Sequence, residues 1–157
     1  MNFTGQNVGA NNYLRVRKIM TTCLLCVTGC GLLFGSLVYF GAEPLLGLYL
    51  SDSAEAVQYG VLRLAFLCLP HFLCGNMEIV SGVIRGMGVS LLPMVLTILS
   101  VCVFRVCWVW WVFPVLGGTL ESLYVSYPIS WVLNTLCLMA AYAVIIRRRL
   151  QRQKPTA

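Results

Sequence analysis

At 157 residues, 59% hydrophobic and only 10% charged, the chain lies far outside the roughly 25% charged content of an ordinary soluble domain, and it reads as an all-α, polytopic membrane helix bundle. The formal net charge of +6 does not indicate nucleic acid, because five of the eleven basic residues sit in the tail Arg147-Arg148-Arg149-Leu150-Gln151-Arg152-Gln153-Lys154. Such a cluster just past a membrane span is an orientation signal and a contact for anionic lipid.

Residues 1–18 have a loop composition, with Gly5, Asn7, Gly9, Asn11 and Asn12, and close on Arg15-Val16-Arg17-Lys18. They predict a cytoplasmic loop segment without a cleavable leader. Residues 19–40 are apolar over about 22 positions, long enough for one helix across a hydrocarbon core of about 30 Å. The Gly31-xxx-Gly35 pair within this first span is a close-approach surface for helix packing.

Gly41-Ala42-Glu43-Pro44 ends the first helix, and Leu45 to Leu50, with Tyr49, predicts a short interfacial piece within an aromatic belt. Ser51, Asp52 or Ser53 then caps the next helix, whose early carboxylates suit the positive dipole end. A second span is expected at 57–84 with a kink at Pro70. A third is expected at 91–113, and a fourth at 120–146 interrupted by Pro128, before the basic tail 147–157. The first loop holds three carboxylates and no Lys or Arg, and the third loop holds no Lys or Arg either, whereas the leading segment, second loop and tail are basic. The positive-inside rule therefore predicts both termini in the cytoplasm.

Eight cysteines lie inside apolar runs and read as buried thiols that behave as small apolar residues. Cys23-Leu24-Leu25-Cys26 matches a metal motif only formally, since no second pair or histidine cluster accompanies it in that helix. No metal site is expected. An acyl-transfer, phosphate-binding or metal-hydrolysis constellation is likewise missing from the sequence, which argues against an enzyme.

The second span carries the chemistry. Arg63, His71, Glu78 and Arg85 fall within about 80° of one another on an ideal helix, a polar stripe that must face other helices or a water-filled cavity. Ionisable groups at membrane depth mark ion or substrate pathways, although hydrogen bonding between helices is the plainer reading. Glu78 lies roughly 10 Å in from Arg85, while His71 and Arg105 of the third span both lie roughly 21 Å deep. Depth therefore pairs Arg105 with His71, and an arginine there disfavours imidazolium, leaving Glu78 as the carrier of a proton or cation. Stacking of Arg105 on Trp108, one turn away, is the competing structural role. On the fourth span Tyr124, Tyr127, Trp131 and Asn134 share a face, either a lining for amphipathic cations or a packing seam.

Several segments in order carry a resemblance: Gln6-Asn7-Val8-Gly9-Ala10 before Tyr13-xx-Arg15-Val16-Arg17-Lys18, then Ser81-Gly82-Val83-Ile84-Arg85-Gly86-Met87-Gly88, Pro93-Met94, Arg105-xx-Trp108, and Tyr127-Pro128-Ile129-Ser130-Trp131. The chain resembles the last four of the twelve helices in the multidrug and toxic compound extrusion family. The resemblance implies export of xenobiotics or organic cations across the plasma membrane, a bacterial inner membrane in this reading. It further implies coupling to Na⁺ or H⁺ entry with no bound cofactor, and a cleft between two six-helix lobes. Family members are much longer, so the resemblance implies a C-terminal piece that needs a missing N-terminal lobe or another chain. Some members carry an Asp in the helix matching the second span; this span has none, and position 74 nearby is Cys. Two alternatives stand beside this reading: a non-transporting four-helix membrane protein or partner subunit, and a fragment of a lipid-linked oligosaccharide flippase, for which more basic cavity residues are expected.

Overall fold

A computed structural model describes residues 1–48 and 54–153, the side chains of 54, 152 and 153 excepted. Among these residues every regular element is helical, and four helices are long and apolar enough to cross a membrane: Tyr13–Phe40, Glu55–Gly86, Leu91–Val115 and Leu120–Gln151. The protein is an all-α, multi-pass membrane bundle.

The leading segment is not a loop. Helix α1 spans Asn2–Gly9, and a turn with Asn11 at φ 54° leads into α2, Tyr13–Phe40. Asn12 caps α2, its Oδ1 accepting the Arg15 backbone N–H at 3.2 Å. The Asn and Gly content that reads as loop instead supplies this cap and turn. One side of α1 is held down because Thr4, 1% exposed, sits over Gly86, where a Cβ would meet Thr4 Cβ at 2.8 Å.

Gly41 ends α2, and α3 runs Ala42–Gly47, so the interfacial piece expected at Leu45 begins as the end of a short helix. Its Tyr49 and Leu50, and the capping residues Ser51, Asp52 and Ser53, lie outside the described residues. Helix α4, Ala54–Cys68, and helix α5, His71–Gly86, make up the second span and are separated by a turn at Leu69-Pro70. Proline has no N–H to donate and clashes with the preceding turn. The Leu73 N–H bonds the Pro70 carbonyl at 2.9 Å and restarts the helix.

Gly88, at φ 85°, closes α5 in a conformation that a side chain would strain. Helix α6, Leu91–Val115, holds two π-helical stretches, Ile98–Val103 and Trp108–Val112, with Arg105 between them. Helix α7, Leu120–Gln153, passes straight through Pro128, so the expected interruption is absent. A lost N–H is tolerated in a membrane helix where neighbouring groups bond the backbone. The carbonyl left without its donor is that of Tyr124; the nearby Ser126 and Ser130 hydroxyls donate to the Leu123 and Tyr127 carbonyls instead, at 2.6 and 2.8 Å. The basic tail, expected as a separate segment, continues α7 through Arg147, Arg148 and Arg149, consistent with the good helix propensity of Arg, Leu and Gln.

The antiparallel pair α2 and α5 forms the tightest contact, followed by α5 with α7. Cβ atoms built on Gly31 and Gly35 would run into Phe72 and the Cys68 carbonyl, which is the backbone approach that small residues permit. A hydrogen bond from Thr28 Oγ1 to Asn76 Oδ1 at 3.1 Å crosses the same interface. The core gathers at one end of the bundle: Tyr13, Val16 and Met20 of α2, Val80, Val83 and Ile84 of α5, and Leu138, Tyr142 and Ile146 of α7. That end carries Arg15, Arg17, Lys18, Arg85 and the start of the basic tail. Towards the other end, Trp110 and Trp111 are exposed.

Candidate functional site

Arg63, His71, Glu78 and Arg85 are all exposed, so the polar stripe survives folding as an uncovered face of a membrane-spanning helix pair. Two clusters are built on or beside it.

The first is a cavity of about 400 Å³ between α5 and the start of α6, lined by Glu78, Ser81, Arg85, Ser90, Pro93 and Thr97 among others. Glu78 Oε2 accepts a hydrogen bond from Arg85 Nη2 at 3.3 Å, the one ion pair among the described residues, with side chains 63% and 43% exposed respectively. The residues stand two turns apart, and the long arginine side chain folds back to bridge them. Its Nε also points to the Ser81 carbonyl at 3.5 Å. An open carboxylate with a flexible cationic partner can exchange that partner for a proton or another cation.

The second cluster is a chain of ring contacts linking three helices. The Arg105 guanidinium lies 4.0 Å over the Tyr127 ring and donates from Nε to Ser130 Oγ at 3.2 Å. The Tyr127 and Trp131 rings meet edge-on at 6.3 Å, and Trp131 meets His71 edge-on at 6.0 Å. Neither arginine expectation is realised. Arg105 stacks on Tyr127 rather than Trp108, and Trp131 stands against His71 where Arg105 was expected. Trp108 instead stacks with Phe104 at 5.6 Å and donates its indole N–H to the Ser122 carbonyl at 3.0 Å. The Tyr127 face that a substrate cation would need is covered by a cation of the chain itself.

Asn134, one turn beyond Trp131 on α7, reaches the cavity wall. Fully buried, it donates from Nδ2 to Met77 Sδ at 3.1 Å and to Thr97 Oγ1, which also lines the Glu78 cavity, at 3.3 Å. Its Oδ1 is buried without a partner, a state that costs about 1–3 kcal/mol. Tyr124, on the same face, packs against Phe66 of α4 at 6.4 Å. Among the described residues no three His, Cys, Asp or Glu side chains converge as a metal site would require.

The sequence reading missed Ser81, Thr97 and Ser130. Ser81 was within reach of it, standing one turn beyond Glu78 on the same face. Ser130 and Thr97 meet their partners across helices 25 and 37 positions apart, and no local pattern records that.

The MatE family model matches residues 2–111, well over half of the chain and most of the segments that carry the resemblance. The chain belongs to the MatE family. Among curated proteins this MatE chain is similar to the probable multidrug resistance protein YoeA of Bacillus subtilis (strain 168), 22% identical over 148 residues. The match covers 94% of this chain but 32% of the relative, so the chain spans about a third of that protein's length. No solved structure matches.

Proposed function

We propose that these four MatE helices form part of an exporter that couples entry of Na⁺ or H⁺ to extrusion of xenobiotics or organic cations, with Glu78 as the coupling carboxylate. In this reading the helices sit in a bacterial plasma membrane with both termini in the cytoplasm. They are completed by an N-terminal lobe or a second chain that covers the polar face. Family membership supports a transporter rather than an enzyme, and the multidrug resistance name of the similar Bacillus protein supports the substrate class.

The observation that carries the proposal is the placement of Glu78. Its carboxylate opens onto a cavity between two membrane-spanning helices, whereas a group that only glued the bundle would be buried in a helix seam. His71 is the second titratable group on that face. Arg105, Tyr127, Trp131 and Asn134 act in this reading as the seam that fixes α6 and α7 beside the cavity. The test is Glu78→Gln in the complete exporter at matched expression. The amide keeps the shape and removes the charge, so gradient-driven transport is expected to vanish while membrane insertion is retained; wild-type efflux by the variant overturns the assignment.

A further inference from the structure

At the basic end of the bundle a groove of about 490 Å³ opens between α2 and α7. Arg17 and Arg147 stand at its rim, Thr21 adds a further polar group, and Met20, Met139, Ile146 and Leu150 supply the apolar part of its walls. Tyr142 also lines it. This tyrosine is only 5% exposed, and its hydroxyl is buried without any hydrogen-bond partner. Buried hydroxyls are normally satisfied, so an unfilled donor in the wall of a groove whose lining cations are Arg17 and Arg147 calls for an acceptor from outside the chain.

The charge around the groove has one sign. Residues 13–22 and 139–151 contain Arg15, Arg17, Lys18, Arg147, Arg148 and Arg149 and no carboxylate, and the one ion pair among the described residues lies elsewhere. Tyr142 precedes Arg147 by five positions, about 7.5 Å along the helix towards the membrane interior. Cations at the rim, a hydroxyl donor about one and a half turns deeper and, deeper still, Met139 of α7 with Met20 of α2 inward of Arg17 follow the order of groups along a phospholipid: phosphate, glycerol ester and acyl chain.

We propose that this groove binds one anionic phospholipid, with its phosphodiester between the guanidinium groups of Arg17 and Arg147 and an ester carbonyl accepting from the Tyr142 hydroxyl. The binding is independent of Glu78 and of any transport activity. It differs from diffuse attraction of the basic tail to the membrane surface in being saturable, one lipid per chain, and dependent on an uncharged hydroxyl.

The test is native mass spectrometry of the purified chain in neutral detergent, titrated with phosphatidylglycerol and, in separate arms, with phosphatidylcholine and inorganic phosphate. Phosphatidylglycerol is expected to bind as a single adduct, with phosphatidylcholine weaker and inorganic phosphate unable to displace it at matched concentration. Arg17→Gln combined with Arg147→Gln is expected to weaken the adduct roughly tenfold or more. Tyr142→Phe, which changes no charge and keeps the ring, weakens it several-fold. The control pair Arg15→Gln and Arg148→Gln removes the same charge away from the groove and leaves the adduct in place. Equal retention by the Arg17 and Arg147 double variant, equal binding of phosphatidylcholine, displacement by inorganic phosphate, or a dimer that excludes the lipid would each overturn the proposal.

Discussion

The packing of α2 against α4 and α5 gives the sharpest quantitative test of how this bundle is held. A Cβ added at Gly31 would stand 2.8 Å from Phe72 Cβ and 2.9 Å from Phe72 Cα, whereas non-bonded carbons rest at about 3.5–4.0 Å. Relief requires a separation of about 1 Å, since the atoms met belong to the backbone or lie directly on it. Gly35, which meets the end of α4, is the more severe case, because its Cβ would strike the Cys68 carbonyl oxygen and lie 3.2 Å from the carbonyl carbon. Overpacking costs about 1–3 kcal/mol, and alanine returns up to about 1 kcal/mol of helix propensity. Gly35→Ala should therefore destabilise by about 2 kcal/mol and Gly31→Ala by about 1 kcal/mol. Gly29, on the same helix with nothing within 4 Å of its Cβ position, is the control, and Gly29→Ala should be neutral or mildly stabilising. Unfolding of the purified chain in micelles, followed by circular dichroism, compares the three. Gly35→Ala at or above wild-type stability would refute the close-packing argument, as would Gly29→Ala costing more than Gly35→Ala.

Three further outcomes are expected. Reporter fusions at Asp52, Gly88, Gly118 and the C-terminus should place Gly88 and the C-terminus in the cytoplasm and the other two outside, following the asymmetry of Lys and Arg between loops; cytoplasmic activity at Asp52 would sink that topology. Cells expressing only residues 1–157 should retain a fluorescent drug as long as control cells do, because the exposed polar face has no opposing lobe to form a pathway; gradient-dependent export by this chain alone would contradict it. Asn134→Leu should be within about 1 kcal/mol of wild type in thermal unfolding, since it removes two weak bonds together with an unsatisfied buried oxygen. Asn134→Asp should be several kcal/mol worse because it buries an unpaired charge, and the reverse ranking would show that Asn134 is held by something other than its observed partners.

Most of the architecture was legible because one interaction dominates it. Long apolar runs bounded by Gly and Pro have few alternatives in a membrane, and four of them predict four spans. Where the reading went wrong, a local rule was overridden. Pro70 and Pro128 look alike in sequence, yet the first sits at a turn between helices and the second inside a continuous 34-residue helix. The serine hydroxyls flanking Pro128 bond the Leu123 and Tyr127 carbonyls rather than the Tyr124 carbonyl that the proline frees, so no local pattern separates the two prolines. The site divides the same way. The stripe from Arg63 to Arg85 follows from helical periodicity alone and stays exposed. The partner of Arg105 does not follow from it, because depth along a span fixes one coordinate while a contact needs three. The two π-helical stretches around Arg105 also shift the register of α6 against α7, without a residue pattern that announces them.

That irregular backbone bears on how Glu78 would act. Helix α5 packs extensively against α2 and α7 but only lightly against α6, and the Glu78 cavity lies in that lightly packed gap. On one side stands a helix fixed by glycine contacts and a buried core. On the other stands a helix with two π-helical departures from α geometry, a feature frequent at functional sites. A change of proton or cation at Glu78 alters its pairing with Arg85, whose side chain lines the same cavity. The α5–α6 gap is where that change meets the least packing resistance. Coupling through this site therefore predicts a change in the separation of α5 and α6 across that gap. Spin labels placed on α6 and α5 in the complete exporter would show their separation change between acidic and alkaline buffer in wild type and not in Glu78→Gln. A distance in wild type that responds neither to pH nor to Na⁺ would remove Glu78 from the gating role.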